Sequence, residues 1–222
     1  DFTADMGYTA ADGFVLSSSI FEDNFEYDNG WVLSGEFERG APGGLGGTEH
    51  GNADPSSAFG GSNVLGTDLT GMGSRPGDYE SNIGDRAYQA VSPAMNCTNY
   101  SNVTLEFQRW LNVERNSYDH AYVDVYDGSS WNNAWANGST TLEDNTWSLQ
   151  TIDISAHADG NNNVKIRFCI GSTDYGWEYS GWNIDDVVVT GDGKPIISVT
   201  PASFEKSVSP GGTDADTFSI EN

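Results

Sequence analysis

The chain has 222 residues, with 33 Asp and Glu against 9 Lys and Arg, a formal net charge of 9 − 33 = −24. So acidic a balance argues against nucleic acid, whose phosphates are held by Lys and Arg, and against anionic membrane surfaces; no apolar run reaches the roughly 20 residues that cross a bilayer. It favours solubility in salty or calcium-rich surroundings, where cations screen the self-repulsion.

The 27 glycines, with many Asn, Asp and Ser, supply turn chemistry, and 12% aromatic residues suit β structure. Residues 1–16 lack periodicity and predict an extended lead-in; the acidic start Asp1-Phe-Thr-Ala-Asp is unlike a signal peptide. Strands are predicted near 19–26, 31–38, 62–68, 86–94, 103–113, 120–126, 131–136, 147–154, 164–170 and 182–190. Alternation is cleanest in Val103-Thr-Leu-Glu-Phe-Gln-Arg-Trp110, with Val103, Leu105, Phe107 and Arg109 on one face. Ala121-Tyr-Val-Asp-Val-Tyr126 alternates too, and Asp127-Gly128 follows as a tight turn. No segment carries a sustained helical stripe, so helix is expected to be scarce.

About ten such strands predict an all-β fold, a two-sheet antiparallel jelly-roll sandwich over residues 17–193. Long Gly-rich loops interrupt it at Arg39–Gly61 and Gly71–Gly84. Loops of this length in a compact domain are functional or pinned, and Glu49, Asp54, Asp68 and Asp78 along them suggest pinning by metal. After Gly191-Asp-Gly-Lys-Pro195 the texture changes. Residues 194–222 resemble the first hairpin of an immunoglobulin-like β domain, truncated here because a whole one takes about 100 residues. A longer multidomain chain is therefore expected.

Two acidic runs frame the sandwich: Phe21-Glu-Asp-Asn-Phe-Glu26 and Trp182-Asn-Ile-Asp-Asp-Val187. Each sets carboxylates in a strand-like apolar run, where an unpaired charge is costly to bury. Two such strands fit side by side over a hard cation, and Ca²⁺ takes six to eight oxygens from carboxylates, carbonyls and water. A loop such as Gly51-Asn-Ala-Asp54 adds to that mixture; the alternative is a set of solvated surface acids. A second site drawing on Asp119, Asp124, Asp174 or Glu178 is a further candidate.

Phe25-Glu26, Gly30-Trp31, Phe37-Glu-Arg-Gly40, Asn63-Val-Leu-Gly-Thr-Asp68, Ala87 through Pro93, Asn102 through Trp110 and Ser180-Gly-Trp-Asn-Ile-Asp-Asp186 occur in order along the chain. Together they resemble the MAM-like jelly rolls, in particular the cleaved-adhesin-type modules appended to bacterial secreted peptidases and surface proteins. The resemblance covers about residues 19–191. It implies a structural calcium, no catalytic machinery and an extracellular or cell-surface setting. It carries the metal ligands over to Glu26, Asp54 and Asp185, with Asp23, Asp68 and Asp186 as neighbours. The chain departs from animal MAM domains in lacking their multiple cysteines.

Trp177, Tyr179, Tyr175 and Trp131 are candidates for a glycan platform, since Trp and Tyr offer an apolar face and a hydrogen-bonding edge; packing is the competing role for the aromatics. Cys97 and Cys169, 72 residues apart, exclude a CxxC motif and leave a disulfide or two buried thiols. His50, His120 and His157 are scattered and form no recognised catalytic motif, although a two-carboxylate hydrolase is not excluded by sequence. Sequons at Asn96, Asn99, Asn102 and Asn137 mark an exposed edge if the source glycosylates. The expected function is non-catalytic binding of a glycan or protein surface, with a self-associating stalk or surface subunit as the rival.

Overall fold

Strands form where apolar residues alternate, and the computed structural model describes residues 17–193 together with the backbone of 198–200 and 219–221. In chain order these are β1 (Ser17–Asp23), β2 (Val32–Ser34), β3 (Phe37–Gly40), β4 (Val64–Thr67), β5 (Tyr88–Val91), β6 (Tyr100–Val113) and β7 (Ala121–Asp127). They continue with β8 (Trp131–Ala136), β9 (Leu142–Glu143), β10 (Ser148–Asp153), one helical turn α1 (Ser155–Ala158), β11 (Val164–Ile170) and β12 (Gly181–Gly193). All pairings among the described residues are antiparallel. One sheet runs β10-β6-β12-β4-β3, with β1 on β12 and β9 on β6; the other runs β2-β5-β11-β7-β8.

The two sheets enclose one core. Val103, Leu105 and Phe107 of β6 and Trp182 and Ile184 of β12 meet Val123 and Val125 of β7 and Ile166 and Phe168 of β11. Edge-to-face aromatic contacts stitch the layers: Phe107 to Phe168 at 5.0 Å, Phe168 to Trp182 at 5.5 Å and Trp135 to Trp182 at 5.6 Å between ring centroids. The fully buried Trp182 spends its one polar atom on the carbonyl of Cys169 at 3.0 Å. The fold is the all-β two-sheet jelly-roll sandwich that the alternation predicts.

Three expectations need correction. The predicted strand 31–38 is two strands in different sheets, because Gly35 turns the chain at φ +65° between β2 and β3. The short β9 carries no alternating signal and escaped prediction. The disulfide is absent: Cys97 and Cys169 are separate buried thiols, which burial pushes up to about 11 and about 12. Met95 pairs with Val164 at the start of β11 and Cys97 N–H bonds Asn161, whereas Cys169 lies five residues further along that strand. At about 3.3 Å per residue that separation far exceeds the roughly 7 Å a disulfide tolerates between Cα atoms.

The expected lead-in 1–16 lies outside the described residues. Of the expected immunoglobulin-like hairpin, β13 (Ser198–Thr200) pairs antiparallel with β14 (Ser219–Glu221), and the remainder also lies outside them.

A Cβ on Gly35 would sit 2.0 Å from Cδ1 of the Tyr88 ring, on a backbone conformation that side chains disfavour. Gly35→Ala is expected to cost about 2–3 kcal/mol through forced displacement and strain. Urea unfolding measures it; an unshifted midpoint would contradict the turn that splits the predicted strand.

Candidate functional site

The acidic ends do meet. β1 pairs with β12 so that Asp23 faces Val187 and Phe21 faces Val189. Yet the six acids expected to share a cation are mostly spent on main-chain N–H groups. Asp185, fully buried, accepts Phe59 N–H at 2.9 Å and Gly60 N–H at 3.0 Å on Oδ2, and Asp186 N–H on Oδ1. Glu26 Oε1 accepts the N–H groups of Ser62 and Asn63 at 2.7 and 2.8 Å, which hold its carboxyl below the ordinary range. Asp68 accepts Met72 and Gly77, and Asp23 accepts Phe25 N–H, Asn29 and the Trp31 indole. Asp186 sits with φ +47° beside Gly60.

The Gly-rich loops are thus pinned by carboxylates acting as acceptors. Asp78, binding Gly47 N–H at 2.7 Å, does the same work for a loop position the sequence assigned to metal. Asp54 alone among the six keeps a buried oxygen free: Oδ1 takes Asn183 at 2.5 Å, and Oδ2 has no partner, near the equally unpartnered Asn183 Oδ1.

Two members of the expected second set are also committed elsewhere. Asp124 receives Arg86 at 2.6 Å and Arg167 at 2.8 Å. Burial pushes Asp124 up, but bonds from Arg86, Asn133 and Arg167 outweigh it and hold the carboxyl below its ordinary value. Glu178 pairs with Arg75 at 3.3 Å. Asp119 and Asp174, by contrast, come together, and Glu114 joins them. Among the described residues this is the one group in which three such side chains bring ligand oxygens within 4.8 Å of one another. Sequence inspection missed Glu114, since a Glu-Arg pair just past a strand reads as solvated.

Glu114 and Asp174 border a groove of about 520 Å³ at the loop end of the sandwich, lined also by Arg115, Tyr118, Thr141, Gly176 and Trp177, with Asp119 buried behind them. Three segments build it: the turn after β6, the approach to β9 and the β11–β12 loop. Asp174 Oδ1 accepts Gly176 N–H at 2.9 Å, tightening the loop, and Trp177 follows at φ +66°. A bulky side chain is uncommon in that conformation and costs about 1–2 kcal/mol. His50 stacks on the indole, ring centroids 4.6 Å apart and 20° between planes, and leaves Trp177 56% exposed.

The candidate aromatics separate accordingly. Trp177 and Tyr175 are exposed, the latter at 85%. Tyr179 is not a platform residue: at 3% exposure it packs beneath His50 and beside Tyr79, and burial raises its hydroxyl to about 12. Trp131 lies on β8 under the guanidinium of Arg167, 4.3 Å from the ring centre, and does not line the groove.

No protein-family model matches the chain, and no curated protein matches it in sequence. Among solved structures it is similar to the CBM22-1 xylan-binding domain of Paenibacillus barcinonensis Xyn10C. That match has a TM-score of 0.48 at 10% identity, covering 83% of this chain and 100% of that one. It is also similar to the K1 cleaved adhesin domain of Lys-gingipain from Porphyromonas gingivalis W83. There the TM-score is 0.46 at 16% identity, over 82% of this chain and 100% of the other. Likenesses this distant carry no functional argument, so the site's own geometry has to. Among the described residues no helix is long and apolar enough to cross a membrane.

Burial drives several acids of the fold upward. Asp185 moves to about 6; Glu36 moves to about 7 through burial and repulsion by Asp68 and Glu80; Asp54, Asp78, Asp119 and Glu114 shift in the same direction, chiefly by burial. A carboxyl with a folded pKa above its unfolded one binds its proton more tightly when folded. That contribution favours folding at low pH and is lost as pH rises from about 4 through the folded values. In chelator, the melting temperature is expected to fall between about pH 5 and about pH 8. A flat profile there would show these carboxyls to be solvated.

Proposed function

We propose that this chain is a non-catalytic binding module of a secreted or cell-surface protein, and that its ligand is a glycan held on the Trp177 groove. The exposed indole in a strained backbone conformation carries the reading. An aromatic ring pressed from behind by His50 cannot withdraw into the core, so it presents a fixed apolar face to the groove. Strain of this kind persists where the surroundings enforce it and clusters at functional sites. Around the ring stand groups that bond hydroxyls: the Thr141 side chain, the Arg115 guanidinium and the carboxylates of Glu114 and Asp174. A flat apolar face ringed by a few polar groups is the pattern of a small-ligand site. The net charge of −24 favours neutral over anionic glycans.

Hydrolysis is the less favoured reading, since the most buried of the three acids is already committed. A retaining glycosidase sets two free carboxyl groups about 5–5.5 Å apart, an inverting one more widely. Here Asp119 has both oxygens engaged, Oδ2 by the Tyr79 hydroxyl and Oδ1 by Asp174 N–H. It is therefore poorly placed to act as nucleophile or acid. The crowding of buried carboxylates further supports a module stabilised by divalent cations, which relieve such repulsion.

Trp177→Ala is expected to weaken glycan binding by about tenfold, or about 1.4 kcal/mol, while leaving thermal unfolding nearly unchanged. Affinity electrophoresis against neutral and acidic polysaccharides finds the ligand, and calorimetry measures the loss. Undiminished affinity in the variant, or no binding by the parent chain across the panel, would refute the reading.

A further inference from the structure

Glu114, Asp119 and Asp174 stand on two loops that face each other at the groove floor. Asp119 is held by Tyr79 Oη–H at 2.5 Å and by the N–H of Asp174 at 3.0 Å. Asn137 locks the first loop: its Nδ2 bonds the carbonyls of Glu114 at 2.8 Å and Asp119 at 2.9 Å, while its Oδ1 accepts Ala121 N–H. The acids are therefore positioned by their neighbours and are not drifting surface side chains.

A second, independent feature points to a ligand. Glu114 is 6% exposed, and among the described residues no protein donor and no ion pair reaches its carboxylate, whose oxygens open only toward the groove. The adjacent Arg115 and His50 act on it only through their charge, without an ion pair, and the Arg115 guanidinium lies over Tyr118, 5.0 Å from the ring centre. Glu114 borders the groove, and its oxygen lies within 4.8 Å of those of Asp119 and Asp174. A carboxylate so largely buried, with no protein donor, is unfavourable, and two further carboxylates at that distance worsen it. A cation between them resolves both.

We propose that Glu114, Asp119 and Asp174 bind a calcium ion at the base of the groove. The donors are all oxygen, which excludes a preference for soft or imidazole-loving metals. The open side toward the groove leaves room for the waters and carbonyls that complete a Ca²⁺ shell of six to eight, whereas Mg²⁺ demands a tighter octahedron. The ion would tie the turn after β6 to the β11–β12 loop that carries Trp177. This inference stands on the acids alone and does not depend on the groove's occupant.

Calcium titration by calorimetry tests it on the full chain, with terbium luminescence excited through Trp177 and Tyr118 as a second readout. Glu114→Gln is expected to lower calcium affinity by about tenfold or more, or to remove one bound ion per chain, and to suppress the terbium signal. Because it deletes an unpartnered buried charge, its calcium-free melting temperature should equal or exceed that of the parent chain. If Glu114→Gln nonetheless fails to fold, Asp174→Asn, which retains an acceptor for Gly176 N–H, decides the matter by the same loss. Wild-type affinity and stoichiometry in a folded variant, or no calcium binding by the parent chain, would overturn the proposal. Glycan affinity, whose reading rests on Trp177→Ala, is measured separately, so that failure of the metal proposal and failure of the glycan reading are told apart.

Discussion

The structure depends on β12 being hydrogen-bonded along both edges. One edge runs beside β6 from Gly181 to Gly193; the other is shared, β4 taking Asn183 and Ile184 and β1 taking Val187 to Asp192. The hand-over falls at Asp185–Asp186, where the β6 ladder slips register and Asp186 turns to positive φ. A bulge bends a strand and re-aims its side chains. Here it buries Asp185 beneath the 59–60 loop and sets Asp186 beside Gly60. The acidic ends of the sandwich are close because this strand receives the first strand of the domain on one side and the central strand on the other.

The shortage of cations explains what the acids do next. With 9 Lys and Arg in the chain, few carboxylates can be neutralised by side chains. Arg86 and Arg167 converge on Asp124, Arg109 takes Asp144 at 2.8 Å, and Arg75 is shared by Glu49 and Glu178. Main-chain N–H groups supply much of the remaining compensation. They are most available in Gly-rich loops, whose backbone is not used by a ladder, so the two unusual compositions serve each other. Asp185, Glu26, Asp68 and Asp78 hold the long loops by this means. The loops in turn shield the tryptophans of the outer face: Trp110 donates to the carbonyl of Ala53 at 3.0 Å and packs edge-on against Trp147.

At the groove the same chemistry is left incomplete. Asp119 has its donors, whereas Glu114 has none within hydrogen-bonding reach, and the Arg115 guanidinium lies over Tyr118. A rigid sandwich carries this imbalance on loops that cross between its layers, next to a tryptophan that the backbone holds outward. The result is a fixed, acidic, aromatic-rimmed surface suited to recognition.

The strands, their inward faces and the meeting of the first and last strands were legible in the sequence, because side-chain alternation with a period of two is a local property. Trp182 and Val103 through Phe107 announce a core without reference to anything distant. The split at Gly35 was harder, since a glycine in an apolar run does not say which sheet the chain enters next. The fate of the acids was not legible. Glu26 and Asp185 share with Glu114 the same chemistry and similar neighbours along the chain. What distinguishes them is whether a loop from elsewhere brings N–H donors, and that is decided by loop paths of 30 to 130 residues. Tyr179 and Trp177 differ likewise: two residues apart in one loop, one is turned under His50 and the other over it. The sequence by itself determined a two-layer β sandwich with an excess of negative charge; only the tertiary structure decided which carboxylates are satisfied and which aromatic faces remain open, because both depend on contacts between segments that local pattern does not encode.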